Sequence, residues 1–369
     1  MNVLMVTPHL PPHQAANALL PHLLGEGLRA RGHGVRFLTL GAGPDRDDVA
    51  FVRRRGRRLR ALRVPQALEA AETWFKAGAM LTQVDLIHIH SNTWMNQVAA
   101  QLAWQRGRPY LLTHYGTEIW HSDGREPRFR ELNRHARHVT FYSQALLDRA
   151  RALELPLPAA SVVYPPVADA FQPLDPGRRE ALHRQHLPQG GALLVNVKRL
   201  HPLADQATLL EALARVRTRR SDVRLLIAGT GERETALREL AARLDLAEAV
   251  DFLGLVPNQE VVALVGAADL FVLSSLLEAT PTVALEALAC GTPVVSTDNP
   301  GGVELAGLFA EDLRVVPKQD PEALAGAILA FLERPHRTSA GAARVLAERF
   351  RLDGVVERYL ALYREALGS

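Results

Sequence analysis

Short, almost wholly apolar runs rich in β-branched residues alternate with longer stretches whose apolar residues recur every three or four positions. The runs read as strands buried on both faces, and the longer stretches as amphipathic helices. "VLMVT" (Val3–Thr7) is the first strand. A helix over Asn17–Arg31 follows and stops at Gly32, a residue that tolerates the left-handed turn closing a helix. Further strands are predicted at Val35–Leu40, Asp85–His90, Tyr110–Thr113, Val139–Ser143 and Ser161–Tyr164, with helical stretches among them.

The alternation pauses at "PPVADAFQPLDPG" (Pro165–Gly177), where four prolines in thirteen residues cannot continue a helix or a central strand. We read this segment as an interdomain linker. The pattern then restarts, with strands at Leu193–Val197, Arg224–Gly229, Ala249–Gly254, Leu270–Ser274 and Pro293–Thr297. Helices are predicted over Asp205–Arg219, from Glu232 and from Pro281. Continuous apolar strands alternating with helices imply parallel sheets covered on both faces. The predicted fold class is α/β, with two Rossmann-like doubly wound domains in tandem over 1–168 and 177–351. A last helix, Leu352–Leu367, is expected to pack back on the first domain. Ligands in such sheets bind at the carboxyl ends of strands, so two facing domains are expected to place the site in the cleft between them.

Composition adds limits more than direction. The 369 residues suffice for two cores, and 47% hydrophobic with 22% charged residues is ordinary for a globular chain. No window has the length of apolar sequence needed to span a membrane. The opening "MNVLMVTPHLPP" reads as a strand and turn rather than a leader, and the one cysteine, Cys290, permits no internal disulfide. A cytoplasmic protein is expected. Charge is uneven: residues 1–170 carry 21 Lys and Arg against 14 Asp and Glu. Much of the excess lies in "FVRRRGRRLRALRVP" (Phe51–Pro65). That run is either a solvated loop or, through Arg53–Arg63, a patch for an anionic membrane surface, which would place the protein peripherally at the inner face. No aromatic platform or motif accompanies it to favour nucleic acid.

The candidate chemistry is concentrated in "LLEATPTVALEALACG" (Leu276–Gly291). Glu278 is expected in the loop after a strand. Thr280 reads as an N-cap and Pro281 as the first helical residue, leaving the amides of Thr282 and Val283 to meet an anion. Glu286 sits one turn further on, among Val283, Leu285 and Leu288. A buried carboxylate must be paired or hydrogen-bonded, so Glu286 either caps nearby backbone or binds ligand hydroxyls such as those of a ribose. Elsewhere, His88 and His90 point the same way on one strand, without a third residue at metal-ligand spacing.

The chain resembles glycosyltransferase family 4 over nearly its whole length. The ordered set is "RGHGVRFLT" (Arg31–Thr39), "LIHIHS" (Leu86–Ser91), "LTHYGTEIWH" (Leu112–His121), "VNVKRLHPLADQATLLEAL" (Val195–Leu213), "LLIAGTGE" (Leu225–Glu232) and the E-x7-E segment Glu278–Glu286. The resemblance implies the GT-B architecture and retaining, metal-independent transfer of a hexosyl unit from a UDP- or GDP-sugar, with no cofactor, to an acceptor it does not identify; the Arg53–Arg63 run makes a lipid-linked acceptor or a cell-envelope glycan precursor one option. It implies that Arg199, with Lys198, clamps the diphosphate, that Glu278 holds the donor sugar and that His114 sits beside it. Glu286 would take the ribose, the amides near Thr280, Thr282 and Val283 the phosphate oxygens, and backbone near Leu255, Val256 and Gly229 the nucleotide.

Two departures stand out. Ala15-Ala16 occupies the place where many members have Gly-Gly, and Ala204 the place of a lysine five residues after the arginine. They leave open a non-catalytic GT-B accessory protein, beside a GT-B nucleotide-sugar epimerase.

Overall fold

The computed structural model describes residues 1–13, 15–53 and 64–368, with side chains from 67 onward in the last stretch. The basic run anticipated as a membrane patch lies outside the described residues, Arg53 excepted. The chain forms two compact units, one of residues 1–166 and 352–369, the other of residues 167–351.

The first unit is built on a seven-stranded parallel sheet: β1 (Asn2–Thr7), β2 (Gly34–Leu40), β3 (Val49–Val52), β4 (Leu86–His90), β5 (Tyr110–His114), β6 (His138–Phe141) and β7 (Ala160–Val162). Their order is β3-β2-β1-β4-β5-β6-β7, which reverses between β1 and β4. Residues 3–6 of β1 are wholly buried, as a central strand covered on both faces requires. The helix Ala16–Ala30 covers one face and ends where Gly32 takes a φ of +79°. Ala15 is its N-cap and Ala16 its first residue, in ordinary extended and helical geometry, so a Cβ is accommodated at both.

The last helix, Leu352–Leu367, matches the sequence expectation and belongs to this unit. It lies against Ala16–Ala30 so closely that a Cβ on Gly27 would come within 2.5 Å of Val356 Cγ2. Arg31 bridges to Asp353 at 2.6 Å and Glu357 at 2.9 Å. Its inner face carries Tyr359 and Tyr363, both buried. The Tyr363 hydroxyl is 2.7 Å from His88 Nδ1, whose Nε2 is 2.6 Å from Thr113 Oγ1; Thr113, Thr140 and Tyr359 complete a closed polar network. His88 and His90 do share one strand face, with ring centroids 4.0 Å apart. Rather than opening on a ligand site, His88 is a core residue under this helix and His90 is held by Tyr115 at 2.9 Å, both essentially without exposure. Burial holds both imidazoles neutral, His88 well below its ordinary pKa and His90 down to about 3.

The second unit contains a six-stranded parallel sheet: β8 (Ala192–Val197), β9 (Val223–Ala228), β10 (Val250–Gly254), β11 (Leu270–Leu273), β12 (Val294–Thr297) and β13 (Leu313–Val316). Its order, β10-β9-β8-β11-β12-β13, reverses between β8 and β11. Helices Gln206–Arg217 and Pro321–Glu333 bury Leu209, Leu213, Leu324 and Ile328 against one face. The proline-rich segment belongs largely here. Val167 bridges to Arg351, Phe171 is buried, and the Asp175 carboxylate caps a helix that begins at Pro176, inside the segment read as linker. β3 and β13 were not anticipated. Each has four residues on a sheet edge, half covered, so neither carries a long apolar run.

Candidate functional site

The site residues of the second unit collect where its strand order reverses. β8 and β11 are paired neighbours, with Leu194 opposite Leu270 and Val195 opposite Phe271. Lys198 follows β8 directly, and Glu278 lies in the loop after β11. Loops leaving adjacent strands in opposite directions open a crevice at this point of a doubly wound sheet. The Asn196 amide donates to Val272 O at 2.8 Å, Ser274 Oγ to Ala204 O at 2.9 Å, and Leu276 N to Leu203 O at 2.8 Å. Those bonds fasten the two loops together, with Ala204 buried where a lysine was looked for.

Lys198 Nζ lies 2.6 Å from Glu278 Oε1, and both side chains are largely covered. A charge-assisted bond at this distance in partial burial fixes both groups. Lys198 also acts on Glu286, whose carboxyl burial pushes up to about 8, with the lysine charge opposing. Glu286 lies in the helix Thr282–Ala289 and has no hydrogen-bond or ion-pair partner among the described residues, yet it keeps some surface open to solvent. A crowded carboxyl without a protein partner suits ligand hydroxyls, since leaving it unpaired is unfavourable.

Pro281, rather than Thr280, is the N-cap of that helix, and no side chain caps it. The first helical amides are those of Thr282 and Val283, ahead of Ala284 N, which bonds to Pro281 O at 3.0 Å. First-turn amides have no partner within the helix, and the dipole adds positive potential. The one-residue shift leaves the amides of Thr282 and Val283 in the first turn and removes Thr280 from the capping role.

Arg199 diverges from its neighbour. Its side chain is 73% exposed and lies 3.7 Å from Glu232, which His201 also approaches. Among the residues expected to clamp a diphosphate, Lys198 therefore reaches Glu278 while Arg199 stands in solvent. Gly229 closes the crevice from β9, with φ +142° and its amide on Gly254 O at 2.7 Å. A Cβ there would fall 2.0 Å from Lys198 O, and one on Gly231 2.1 Å from Leu200 O. The Gly-x-Gly, a weak turn signal in sequence, seats the Lys198–Leu200 backbone. Leu255 is exposed and Val256 partly so, just after β10.

His114 lies in the first unit and is wholly buried, with Nε2 2.9 Å from Asn133 Oδ1 and Nδ1 3.4 Å from Glu118. Burial works against ionisation of Glu118, but the His114 ring and the Tyr115 amide overcome it and hold the carboxyl below its usual range.

Sequence reasoning missed Asn299. Its amide nitrogen is within 3.3 Å of Ser275 O and 3.2 Å of Thr297 O, and its Oδ1 accepts from Gly302 N at 2.8 Å. Gly301 N donates to Glu278 O at 3.0 Å, and a Cβ on Gly301 would meet Ala279 O at 2.7 Å. "NPGG" (Asn299–Gly302) thus supports the loop that carries Glu278. The available signal was an Asn-Pro helix start followed by two glycines, directly after a strand.

Residues 178–345 match the family described as glycosyl transferases group 1, and residues 21–168 match the glycosyl transferase 4-like domain. A D-inositol 3-phosphate glycosyltransferase of Acidothermus cellulolyticus is 38% identical over 56% of this chain and 48% of its own length. One from Frankia alni is 32% identical over 76% of this chain and 74% of its own. The alignment to the first of these, and to a Catenulispora acidiphila relative at 43%, spans about half of the relative's length. Among solved structures, sucrose-phosphate synthase from Thermosynechococcus elongatus superposes with a TM-score of 0.78 at 21% identity, covering all of both chains. Anabaena HepE in complex with UDP-glucose gives 0.79 at 21% identity over 99% of this chain and all of that one. The fold is GT-B, and the chain belongs to the group 1 glycosyltransferases, the family 4 type anticipated from its E-x7-E segment.

Proposed function

We propose that this protein transfers a hexosyl unit from a nucleoside-diphosphate sugar to an acceptor, with retention of anomeric configuration and without a metal. The observation that carries the reading is the Lys198–Glu278 pair beside Glu286, a carboxyl lacking a protein partner, at the switch point of the second sheet. HepE, a relative in fold, is described with UDP and UDP-glucose, which fits such a donor.

Negative charge builds on the diphosphate as the sugar departs. Preorganised donors aimed at that charge lower the barrier, each contributing about 3 kcal/mol. Lys198 and the amides of Thr282 and Val283 serve this role, and Arg199 leaves its 3.7 Å contact with Glu232 to join them when the donor binds. Glu278 orients the sugar hydroxyls while its charge is balanced by Lys198. Glu286 takes the ribose diol. No carboxylate is assigned as a covalent nucleophile. The acceptor oxygen attacks the anomeric carbon from the face the diphosphate leaves, and the departing phosphate takes its proton.

The acceptor binds on the first domain, and the Arg53–Arg63 run favours one held at an anionic membrane surface on the cytoplasmic side. No described helix is long and apolar enough to cross a membrane. The test is proton NMR of the product formed from an α-linked donor in the presence of EDTA. An α-configured product formed at an undiminished rate supports the proposal. A β-configured product, or loss of turnover with EDTA, sinks it.

A further inference from the structure

The first unit carries a second concavity that the donor chemistry does not use. It is a groove of about 590 Å³ lined by the helices Val64–Met80, Trp94–Gln105 and Pro127–Arg134. This volume is in the range of small-molecule sites. Three of the chain's four tryptophans, Trp74, Trp94 and Trp104, face it. Methyl and methylene groups of Ala71, Val98 and Leu132 lie between them. The groove continues onto an apolar stripe in solvent, with Phe75 76% and Trp104 53% exposed beside Leu68 and Trp74. Large apolar side chains contiguous on one flank mark a binding surface rather than scatter.

The two ends differ. At one, the Arg128 guanidinium lies 4.0 Å above the Trp94 ring and has no carboxylate partner among the described residues. At the other, Trp104 stacks on His135 at 4.3 Å. There Glu131 is already engaged, 2.9 Å from His135 and 3.5 Å from Arg134. Ten helical residues separate Trp94 from Trp104, so the groove runs about 15 Å. Trp94 and Trp104 each carry a stacked partner, which disfavours a pyranose ring on those faces. The Gln97 amide is also engaged, with Asn92 at 2.9 Å. What remains is an elongated apolar floor with one unpaired cation at its end.

We propose that this groove binds a single-chain amphiphile with an anionic head: the alkyl chain lies along the alanine and tryptophan floor and the head group meets Arg128. The inference extends the acceptor reading to a ligand class, and its test is a binding measurement independent of turnover. The full-length protein is titrated with dodecyl phosphate carrying a terminal bromine, which quenches tryptophan emission on contact. Dodecanol, inorganic phosphate and maltotriose serve as comparisons. Saturable quenching at one site is expected below the micelle concentration. Arg128→Gln should weaken the phosphate amphiphile about tenfold and leave dodecanol unchanged, because a hydrogen bond to a charged group is lost. Ala71→Trp should fill the groove and abolish both while nucleotide-sugar binding by the second unit persists. Unsaturable quenching, equal affinity in Arg128→Gln, or preferential binding of maltotriose would each overturn the proposal, as would undiminished binding in Ala71→Trp.

Discussion

Gly229→Ala tests whether the backbone after β8 is seated by that glycine. The added Cβ would lie 2.0 Å from Lys198 O. Ordinary carbon–oxygen contacts are about 3.3 Å or longer, so one side must yield by about 1.3 Å. The neighbour is backbone, tied by Lys198 N to Ala228 O at 2.9 Å and by Leu200 N to Thr230 O at 3.0 Å, and cannot rotate away. The alanine is also strained by a φ of +142°, at about 1–3 kcal/mol. Displacement by an ångström moves Lys198 relative to Glu278, and misplacement on that scale lowers turnover about 100-fold. The assay is nucleoside-diphosphate release at saturating donor, with thermal unfolding measured on the same samples. Gly326→Ala, exposed within the helix Pro321–Glu333 with open space at its Cβ, is the control and should stabilise by up to about 1 kcal/mol. A folded Gly229→Ala protein with activity within twofold of the parent would refute the reasoning.

Three further outcomes follow from the same geometry. The Glu286 carboxyl is raised to about 8, so ionisation favours binding of ribose hydroxyls only as pH climbs. Donor affinity should rise from pH 6 to about 8 and then level, and Glu286→Gln should flatten that profile; an unchanged profile in the variant would assign the titration elsewhere. His88 and His90 are held neutral in the fold, so they favour it fully above pH 6.5, and that contribution is lost as pH falls toward 3, when the unfolded chain takes up the protons. Each steepens the loss by up to about 1.4 kcal/mol per pH unit. The Glu286 carboxyl opposes this trend equally in parent and variant, so thermal melts from pH 6.5 to 4.5 are compared between them: the loss of stability should be shallower in His90→Gln by up to that amount, and an equal slope in the two would remove His90 as a source. Asn299→Ala should lose about 2 kcal/mol of stability by leaving Gly302 N without its side-chain acceptor and removing the amide that ties Ser275 O to Thr297 O. Its KM for donor should rise as the Glu278 loop loosens, and a KM equal to the parent's would separate Asn299 from the site.

The two sheets were legible because central parallel strands must be apolar throughout, and Val3–Val6, Leu193–Val195 and Leu270–Leu273 leave no other reading. The edge strands Val49–Val52 and Leu313–Val316 were not, since an edge strand needs little apolar sequence. The strand–loop–helix setting of Glu278 and Glu286 was legible from local physics, whereas their ligand roles rest on the resemblance of the E-x7-E segment to family 4. The direction taken by each of two adjacent cations was hidden: Lys198 turns to Glu278 while Arg199 lies by Glu232, on backbone seated against Gly229 and Gly231 in the loop after another strand. His88 and His90 show the same limit. Their shared face follows from strand period, but the Tyr359 and Tyr363 rings that cover His88 lie some 270 residues further along, and His90 meets Tyr115 on the next strand's loop.

The central claim is that the crevice at β8 and β11 holds a nucleotide sugar through Glu286 and Lys198. The most direct measurement is calorimetric titration of the protein with UDP-, GDP- and ADP-glucose, repeated for Glu286→Ala and Lys198→Ala. Saturable binding of one donor, weakened at least tenfold in both variants, is the predicted result. Binding that persists unchanged in both, or no binding of any nucleotide sugar by the folded parent, would contradict the account.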